Sequence, residues 1–304
     1  MDMSVKPNNL IQGDRVAIVA TARKIGLSEL EGAVKLFESW CLEVVLGETI
    51  GKEEDQFAGS DSLRAKDFQR FLDDNTIKAI FCARGGYGSV RIIDKLDFSA
   101  FEKNPKWIIG YSDPTVILSH IYFNYNIQTI HGIMPLNIDK DNLNTPAIES
   151  LRECLFNGSI RTEHKASNLN RFGDIEGELI GGNLSVLYSL VGSKSFGDTK
   201  DKILFIEDLD EYLYHIDRIM QCLKRAGKLS GLRGLIVGAF TDMHDNTIPF
   251  GKSAQEIILE SVREYDYPIV FDVPSGHIGS DNISRIIGRK TRLISREEEV
   301  IIEQ

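Results

Sequence analysis

Short apolar runs rich in β-branched residues alternate with amphipathic stretches through the first half of the chain. The run at 16–20 is predicted to be the first strand, because it is short and continuously apolar. The stretch at 28–40 then places apolar residues at helical spacing and is predicted to be a helix. The alternation continues with strands at 41–46, 77–83 and 106–110 and with helices at 60–73 and 114–123. This order is typical of parallel strands joined by helices, so we predict an α/β fold.

The chain becomes polar and irregular from about residue 137 to 174, apart from a helix predicted around 146–155. A linker is expected in such a stretch. We therefore predict a first domain at 1–170 and a second domain at 171–304. The elements predicted for the second domain are strands at 176–181, 202–207, 235–240 and 268–273, helices at 184–191, 211–226 and 253–265, and short strands from 283 to 304.

Composition limits the classes of partner. The 304 residues are 42% hydrophobic and 26% charged, which is ordinary for a globular protein with a substantial core. The formal net charge of −10 opposes non-specific binding to nucleic acid or to an anionic membrane. The first 15 residues lack the apolar core of a signal peptide, and no later run approaches the roughly 18 apolar residues of a membrane span. We expect a soluble, unexported protein without nucleic-acid or membrane partners.

The cysteines point to a reducing compartment. They form no CxxC pair, and most lie in apolar surroundings, where cysteine behaves as a small hydrophobic residue. They are Cys41, Cys82, Cys154 and Cys222. Reduced thiols and a cytoplasmic location are the expectation.

The segment Gly110-Tyr111-Ser112-Asp113 lies where a predicted buried strand ends and a helix begins. This context would lift the hydroxyl of Ser112 above the edge of the sheet, as in a nucleophile elbow. The usual G-x-S-x-G pattern would require glycine at 114, where this chain has Pro114. Taken alone, Ser112 fits a helix cap more often than a nucleophile, because serine is a favoured cap.

A second turn, Arg84-Gly85-Gly86-Tyr87-Gly88, also follows a predicted strand. Backbone amides in such a turn can point at an anion, either a phosphate or the oxyanion of a reaction intermediate. The spacing matches neither the dinucleotide fingerprint nor the P-loop, so a nucleotide site is unsupported. A tight turn with positive φ explains the glycines equally well.

Several acids follow the predicted strand at 202–207. Asp208 and Glu211 have the spacing of a capping box, with the acid at the cap and glutamate three residues later, which predicts a role in starting the next helix. Glu207 falls outside that box, at the carboxyl end of the strand, where α/β proteins place functional groups. It is the best candidate for orienting a histidine.

Among the six histidines, His277 lies in a loop after a predicted buried strand and is the candidate for that partner. His131 also follows a strand-like run and competes with it. His215 lies within a predicted helix, where a surface role is more usual.

A metal centre is not predicted. His244, Asp242 and Asp245 are residue types that can bind a metal, but the surrounding DMHDN sequence is typical of an exposed polar loop. We therefore expect neither a metal nor another cofactor.

In combination, five segments resemble the L,D-carboxypeptidase family of serine peptidases, which includes muramoyltetrapeptide carboxypeptidase and the microcin C self-immunity peptidase. The resemblance covers nearly the whole chain, and all five segments follow the family's order. They are Arg84-Gly85-Gly86-Tyr87-Gly88, Gly110-Tyr111-Ser112-Asp113, Gly181-Gly182-Asn183-Leu184, Phe205-Ile206-Glu207-Asp208 and Gly276-His277.

The resemblance implies a flavodoxin-like N-terminal domain with a parallel sheet, carrying Ser112, and a smaller mixed α/β C-terminal domain carrying Glu207 and His277. By the chemistry of such triads, Ser112 is the nucleophile, His277 the general base and Glu207 the orienting acid. The active site would lie between the domains.

The resemblance also suggests groups around the triad. The amide of Asp113, with one from Gly85-Gly86, would hold the oxyanion. Arg84 and Asn183 are the candidates for substrate contact.

Release of terminal D-alanine from a muropeptide tetrapeptide is the function that the resemblance implies, in a cytoplasmic enzyme acting as a homodimer. Two alternatives stay open: hydrolysis of a peptidyl-nucleotide antibiotic, and a catalytically silent ligand-binding protein. The stretch between Glu207 and His277 is short and lacks tryptophan, whereas the microcin-immunity branch tends to carry a longer aromatic loop for its nucleotide-bearing substrate. On this point the resemblance favours cell-wall peptides. The chain departs from the family at Thr21-Ala22, where Pro-Ser is usual, and at Ile286-Ile287-Gly288, where a proline is common.

Overall fold

A computed structural model describes residues 4–304. The strands in chain order are β1 (Arg15–Val19), β2 (Glu43–Leu46), β3 (Ile77–Cys82), β4 (Trp107–Gly110), β5 (Thr129–His131), β6 (Arg161–Lys165), β7 (Gly173–Asn183), β8 (Ile203–Leu209), β9 (Gly234–Thr241), β10 (Ile269–Val270), β11 (Arg285–Ile287), β12 (Lys290–Ser295) and β13 (Glu299–Glu303). The α-helices are α1 (Glu31–Ser39), α2 (Asp61–Asp73), α3 (Ser99–Lys103), α4 (Thr115–Tyr125), α5 (Pro146–Arg152), α6 (Leu184–Ser189), α7 (Leu213–Arg225) and α8 (Ala254–Ser261).

The first sheet has the order β11-β5-β4-β3-β1-β2. Strands β1 to β5 pair in parallel, and β11 pairs antiparallel with β5 at one edge. The parallel part therefore has the strand order 2-1-3-4-5, which is that of flavodoxin-like folds. The predicted fold of this part is confirmed.

Both faces of this sheet are buried. Along β1, Val16 and Ile18 belong to one apolar cluster, whereas Ala17 and Val19 belong to another. Successive side chains of a strand point to opposite faces, so the two clusters cover the two faces of the sheet. This double burial explains why the strand is apolar at every position.

The second sheet is mixed, with the order β10-β9-β8-β7-β12-β13-β6. Its β7 to β10 are parallel, and β12, β13 and β6 add antiparallel strands on the far side of β7. The apolar faces of β8 and β9 join the same cluster as β1 and α4. One continuous core thus connects the two sheets.

Two strands pair with partners that are distant from them in sequence. Strand β6 lies in the stretch predicted to be irregular, yet it pairs with β13 at the edge of the second sheet. Strand β11 lies late in the chain but completes the first sheet beside β5. The division into domains near residue 170 stays a prediction.

Candidate active site

Ser112 occupies a strained turn between β4 and α4. Its φ is +65°, in the left-handed region that non-glycine residues seldom adopt. The carbonyl of Ser112 accepts a hydrogen bond from the amide of Thr115 at 2.9 Å, which closes the turn into the helix. A serine raised in this conformation at the end of a parallel strand has the local geometry of a nucleophile elbow.

The glycine turn after β3 lies directly against this elbow. A methyl group built on Gly85 would lie 3.0 Å from both Cβ and Oγ of Ser112, so the turn approaches the serine as closely as glycine allows. The buried carboxylate of Asp113 accepts hydrogen bonds from the amides of Gly88 at 3.1 Å and Ser89 at 2.9 Å. The turn and the elbow are therefore held together as one unit.

Glu207 and His277 form a close pair. Oε2 of Glu207 lies 2.7 Å from Nδ1 of His277. The Glu207 side chain is fully buried, whereas 13% of the His277 side chain is exposed. The ring of Tyr111, the residue before Ser112, packs on the His277 ring with 4.8 Å between centroids. This contact brings the pair to the elbow.

Gly276 is what allows His277 to reach the carboxylate. Its φ is +120°, and a methyl group there would lie 2.8 Å from both Cβ and Oε2 of Glu207. Only glycine can take this conformation at this distance.

A bulge in β8 places two neighbouring acids inside the protein. The pairing register with β9 shifts between Ile206 and Asp208. Side chains normally alternate between faces along a strand, but here Glu207 and Asp208 are both buried, at 0% and 2% exposure. A bulge re-aims side chains in this way.

The two acids have opposite titration behaviour. Burial opposes the charged form of Glu207, but contacts with His131 and His277 outweigh burial and lower the pKa of Glu207. Burial and the adjacent Glu207 carboxylate instead raise the pKa of Asp208 to about 6. Glu207 is therefore the acid that is held as a carboxylate beside a histidine.

The predicted capping box of Asp208 is wrong. Helix α7 begins at Leu213 after Tyr212 as its cap, so Asp208 lies too early to cap it. Asp208 is a strand residue whose carboxylate accepts from the backbone amide and the hydroxyl of Ser185, at 2.9 Å and 2.7 Å. It thus serves the first turn of α6 instead of α7, because the bulge turns it toward that helix.

The two predicted substrate contacts, Asn183 and Arg84, differ in how fully their side chains are hydrogen-bonded within the protein. Asn183 is 3% exposed, and both ends of its amide are engaged: Oδ1 caps α6 at the amide of Val186, and Nδ2 donates to Asp208 at 2.9 Å. The structure gives it a capping role. Arg84 donates from Nη1 to the carbonyl of Lys24 at 3.0 Å, while its buried Nε has no partner among residues 4–304.

His131 is a member of the site that the sequence interpretation left aside. It ends β5, next to the strand that carries the elbow, and its Nε2 lies 3.6 Å from Oε1 of Glu207. The available signal was its place at the carboxyl end of a strand, the same signal that singled out Glu207.

The predicted polar loop around His244 is not part of this cluster. Nε2 of His244 instead lies 2.5 Å from Oδ1 of Asp210. Within residues 4–304, no group of three or more His, Cys, Asp or Glu residues is arranged to hold a metal ion. In the same part of the chain, every helix is too short or too polar to cross a bilayer.

The comparisons with known proteins agree on one family. The model of the LD-carboxypeptidase N-terminal domain matches residues 16–132, and that of the LD-carboxypeptidase C-terminal domain matches residues 176–293. The chain is 35% identical over 310 residues to the probable murein peptide carboxypeptidase of Bacillus subtilis, with 99% of this chain and 95% of that protein covered.

Solved structures show the same architecture. The muramoyltetrapeptide carboxypeptidase of Oxalobacter formigenes superposes with a TM-score of 0.86 at 25% identity, covering 95% of this chain and 98% of the other. The microcin-immunity protein MccF, in complex with glutamyl sulfamoyl guanosine, superposes with a TM-score of 0.86 at 22% identity and covers 98% of both chains. At that identity the second likeness concerns the fold alone.

Proposed function

The chain belongs to the LD-carboxypeptidase family, peptidase S66, and from this premise we propose that it is a serine peptidase that releases terminal D-alanine from muropeptide tetrapeptides. The likeness to the probable murein peptide carboxypeptidase of Bacillus subtilis and to the muramoyltetrapeptide carboxypeptidase of Oxalobacter formigenes supports a murein substrate. The observation that carries the serine mechanism is the 2.7 Å pair of Glu207 and His277 beside an elbow with Ser112 at a φ of +65°.

The proposed mechanism gives each member of the triad a separate role. Because Nδ1 of His277 faces Glu207, Nε2 is the nitrogen left to take the proton of Ser112. Oγ of Ser112 then attacks the carbonyl of the L-residue, and the bond to D-alanine breaks as His277 returns the proton to the leaving amine. Water hydrolyses the acyl-enzyme by the same route. The carboxylate of Glu207 stabilises the imidazolium during both steps.

The oxyanion is proposed to bind between two backbone amides, those of Asp113 and Gly86. Among residues 4–304, no hydrogen bond from either amide to a protein acceptor is present. The bonds from Gly88 and Ser89 to the carboxylate of Asp113 fix the two turns relative to each other. Donors fixed before the reaction stabilise developing charge without reorganisation.

Arg84 is proposed to bind the free α-carboxylate of the terminal residue. Guanidinium groups match carboxylates in charge and in hydrogen-bond geometry. Arg84 begins the glycine turn that touches Ser112, and its buried Nε has no hydrogen-bond partner among residues 4–304. Asn183 stays a predicted contact, although its internal hydrogen bonds do not support that role.

The stereochemistry of the substrate tests this function. We expect a muramoyl tetrapeptide to lose one alanine, measured by mass spectrometry, while the analogue ending in L-alanine reacts at least about 10²-fold more slowly. Inverting the terminal centre exchanges methyl and hydrogen, so a methyl group displaces the scissile carbonyl from the oxyanion donors. A pentapeptide ending in D-Ala-D-Ala is the second control and should stay intact. Efficient cleavage of the all-L peptide would indicate a general peptidase.

Hydrolysis of a peptidyl-nucleotide antibiotic is the second candidate. Its support is the sequence resemblance to the family that includes the microcin C self-immunity peptidase; MccF, which shares the fold, has been solved with glutamyl sulfamoyl guanosine. Offering a peptidyl nucleotide and the tetrapeptide to the same preparation separates the two. Cleavage of the nucleotide compound alone would replace the murein substrate and leave the serine mechanism in place.

The contact between the glycine turn and the nucleophile gives a further prediction. Gly85→Ala should lower kcat about 10²-fold, because its new methyl group would lie 3.0 Å from Oγ of Ser112 and push the hydroxyl aside. Gly26→Ala is the matched control, because its methyl group would meet nothing closer than 3.5 Å. Steady-state kinetics of both variants measure the effect. Equal turnover of the two variants would remove the turn from the site.

We also propose a cytoplasmic location and a homodimer. The unpaired thiols support the location, since disulfides are rare in the cytosol. Cys41, Cys82, Cys154 and Cys222 are all free. The family resemblance is the support for the dimer.

A further inference from the structure

The acid of the triad has a second buried histidine on its far side. His131 is 0% exposed, and its Nε2 lies 3.6 Å from Oε1 of Glu207. Within residues 4–304, neither ring nitrogen of His131 has a hydrogen-bond partner, and neither does Oε1 of Glu207. Buried polar groups are normally paired, so two unpaired polar atoms this close together point to a hydrogen bond between them.

We propose that His131 is a positioning residue for Glu207. In this arrangement Nε2–H of His131 donates to Oε1, so that Oε2 is held toward His277. The inference rests on the proposed function, since it concerns the same triad, and it adds a fourth member to it.

The two oxygens of Glu207 have separate tasks. Oε2 already lies 2.7 Å from Nδ1 of His277, whereas Oε1 has no hydrogen-bond partner among the described residues and lies 3.6 Å from Nε2 of His131. A carboxylate held on one side can rotate about its last bond, and rotation would carry Oε2 away from His277. A donor on Oε1 prevents this rotation. The 3.6 Å separation needs to shorten by a few tenths of an ångström, and catalytic hydrogen bonds commonly tighten when substrate binds.

The ring of His131 is itself firmly held. The edge of the Phe205 ring meets it almost at right angles, with 5.0 Å between centroids, and the ring of Tyr111 lies at 5.8 Å. Its backbone pairs with Gly110 on one side and with Arg285 on the other. The histidine therefore connects the strand that carries the nucleophile to the acid of the opposite sheet.

Other ionisable groups surround this pair and set its electrostatics. Burial, followed by the charge of Glu207, raises the pKa of the Tyr111 phenol, which stays neutral. Asp208 adjoins Glu207 in β8, and Arg285 lies opposite His131 in β11. A neutral His131 with its proton on Nε2 satisfies Oε1 and leaves Glu207 as the negative group facing His277.

His131→Phe tests the proposal, because it keeps a ring of similar size and removes the donor. We expect kcat on the tetrapeptide to fall about 10- to 10²-fold with KM changed less than about twofold, since His131 and Glu207 are both fully buried and offer no surface for substrate binding. Rotation of the freed carboxylate weakens its stabilisation of the His277 imidazolium, so the acid limb of the kcat/KM profile should move to lower pH by about half a unit. His131→Gln restores a donor and should recover most of the activity and the original limb.

Labelling of Ser112 by a fluorophosphonate separates this inference from the choice of substrate. We expect His131→Phe to slow the labelling rate by a factor similar to the loss in kcat, and His131→Gln to restore it. If the wild type is labelled but leaves the tetrapeptide intact, the murein function fails while the labelling rates still decide the role of His131. Labelling of His131→Phe at the wild-type rate overturns the inference.

A purely structural role would give a different pattern. It would lower the melting temperature and the fraction of active protein without moving the pH profile, and this result would also overturn the inference. If His131→Phe does not fold, His131→Met replaces it, because methionine fills an irregular site without supplying a donor. Steady-state kinetics, the pH profile and the labelling rate are then measured on His131→Met.

Discussion

Ser112→Ala is expected to lower turnover of the tetrapeptide by about 10⁴-fold or more, because the members of a triad act as a unit. The substitution removes one hydroxyl from a half-buried position and should leave the fold unchanged. Alanine tolerates the φ of +65° about as well as serine does, so the backbone of the elbow gains no new strain. Turnover with circular dichroism and thermal unfolding measures both effects.

Ser119→Ala is the matched control for this experiment. Both serines lie on the same tryptic peptide, residues 107–140, so one mass measurement reports on both. The hydroxyl of Ser119 is buried and donates to the carbonyl of Ser195 at 2.5 Å, away from the elbow. Its loss should cost about 1 kcal/mol of stability and leave turnover nearly unchanged.

Fluorophosphonate labelling then identifies the nucleophile directly. The label should appear on the 107–140 peptide of the wild type and of Ser119→Ala, and be absent from Ser112→Ala. Near-normal turnover by Ser112→Ala would eliminate it as the nucleophile. A wild type that neither reacts with the label nor cleaves peptide would be the catalytically silent binding protein.

The local elements of the fold were predictable because their signals are local. The alternation of short apolar runs and amphipathic stretches predicted strands and helices that the structure has within a few residues, such as β3 at Ile77–Cys82 and α2 at Asp61–Asp73. The strand-to-helix turn at Ser112 follows from the same local pattern. Strand ends are where α/β proteins place functional groups, so Glu207 could be singled out before its partner was visible.

Pairing between distant segments was less accessible. Strand β6 has an alternating, largely polar sequence because it lies at an edge, and only its pairing with β13 makes it a strand. The bulge in β8 likewise depends on its register with β9. The sequence pattern ended the strand at Glu207 and placed Asp208 at the start of a helix, whereas β8 continues to Leu209 and α7 begins at Leu213; the capping interpretation failed for this reason.

His131 shows the same limit at the level of the site. Its sequence context identified it as a candidate, but its significance depends on an oxygen in the opposite sheet. No spacing within the chain predicts that Oε1 of Glu207 would lie 3.6 Å away with no other partner among the described residues. Local patterns therefore identify candidate residues, and the contact between the sheets determines which of these residues lie together in the site.

Glu207→Gln is expected to lower turnover by about 10³- to 10⁴-fold while the melting temperature changes little, because glutamine keeps the size of the side chain and removes its charge. The imidazolium of His277 would lose the carboxylate at 2.7 Å that stabilises it. The amide can also present its N–H₂ to Nδ1, which would favour the tautomer that has no free Nε2 for the proton of Ser112. Steady-state kinetics and thermal unfolding measure the two effects.

Asp208→Asn is the matched control, one residue further along β8 and equally buried. The carboxylate of Asp208 accepts from Ser185, Asn183 and the amide of Leu209, so an asparagine N–H₂ would face donors instead of acceptors. We expect this variant to lose about 1–3 kcal/mol of stability and to keep most of its turnover. The two variants should thus show a crossed pattern, with catalysis lost in one and stability in the other. An active Glu207→Gln beside an inactive but fully stable Asp208→Asn would move the acid of the triad to Asp208 and remove the basis for the role of His131.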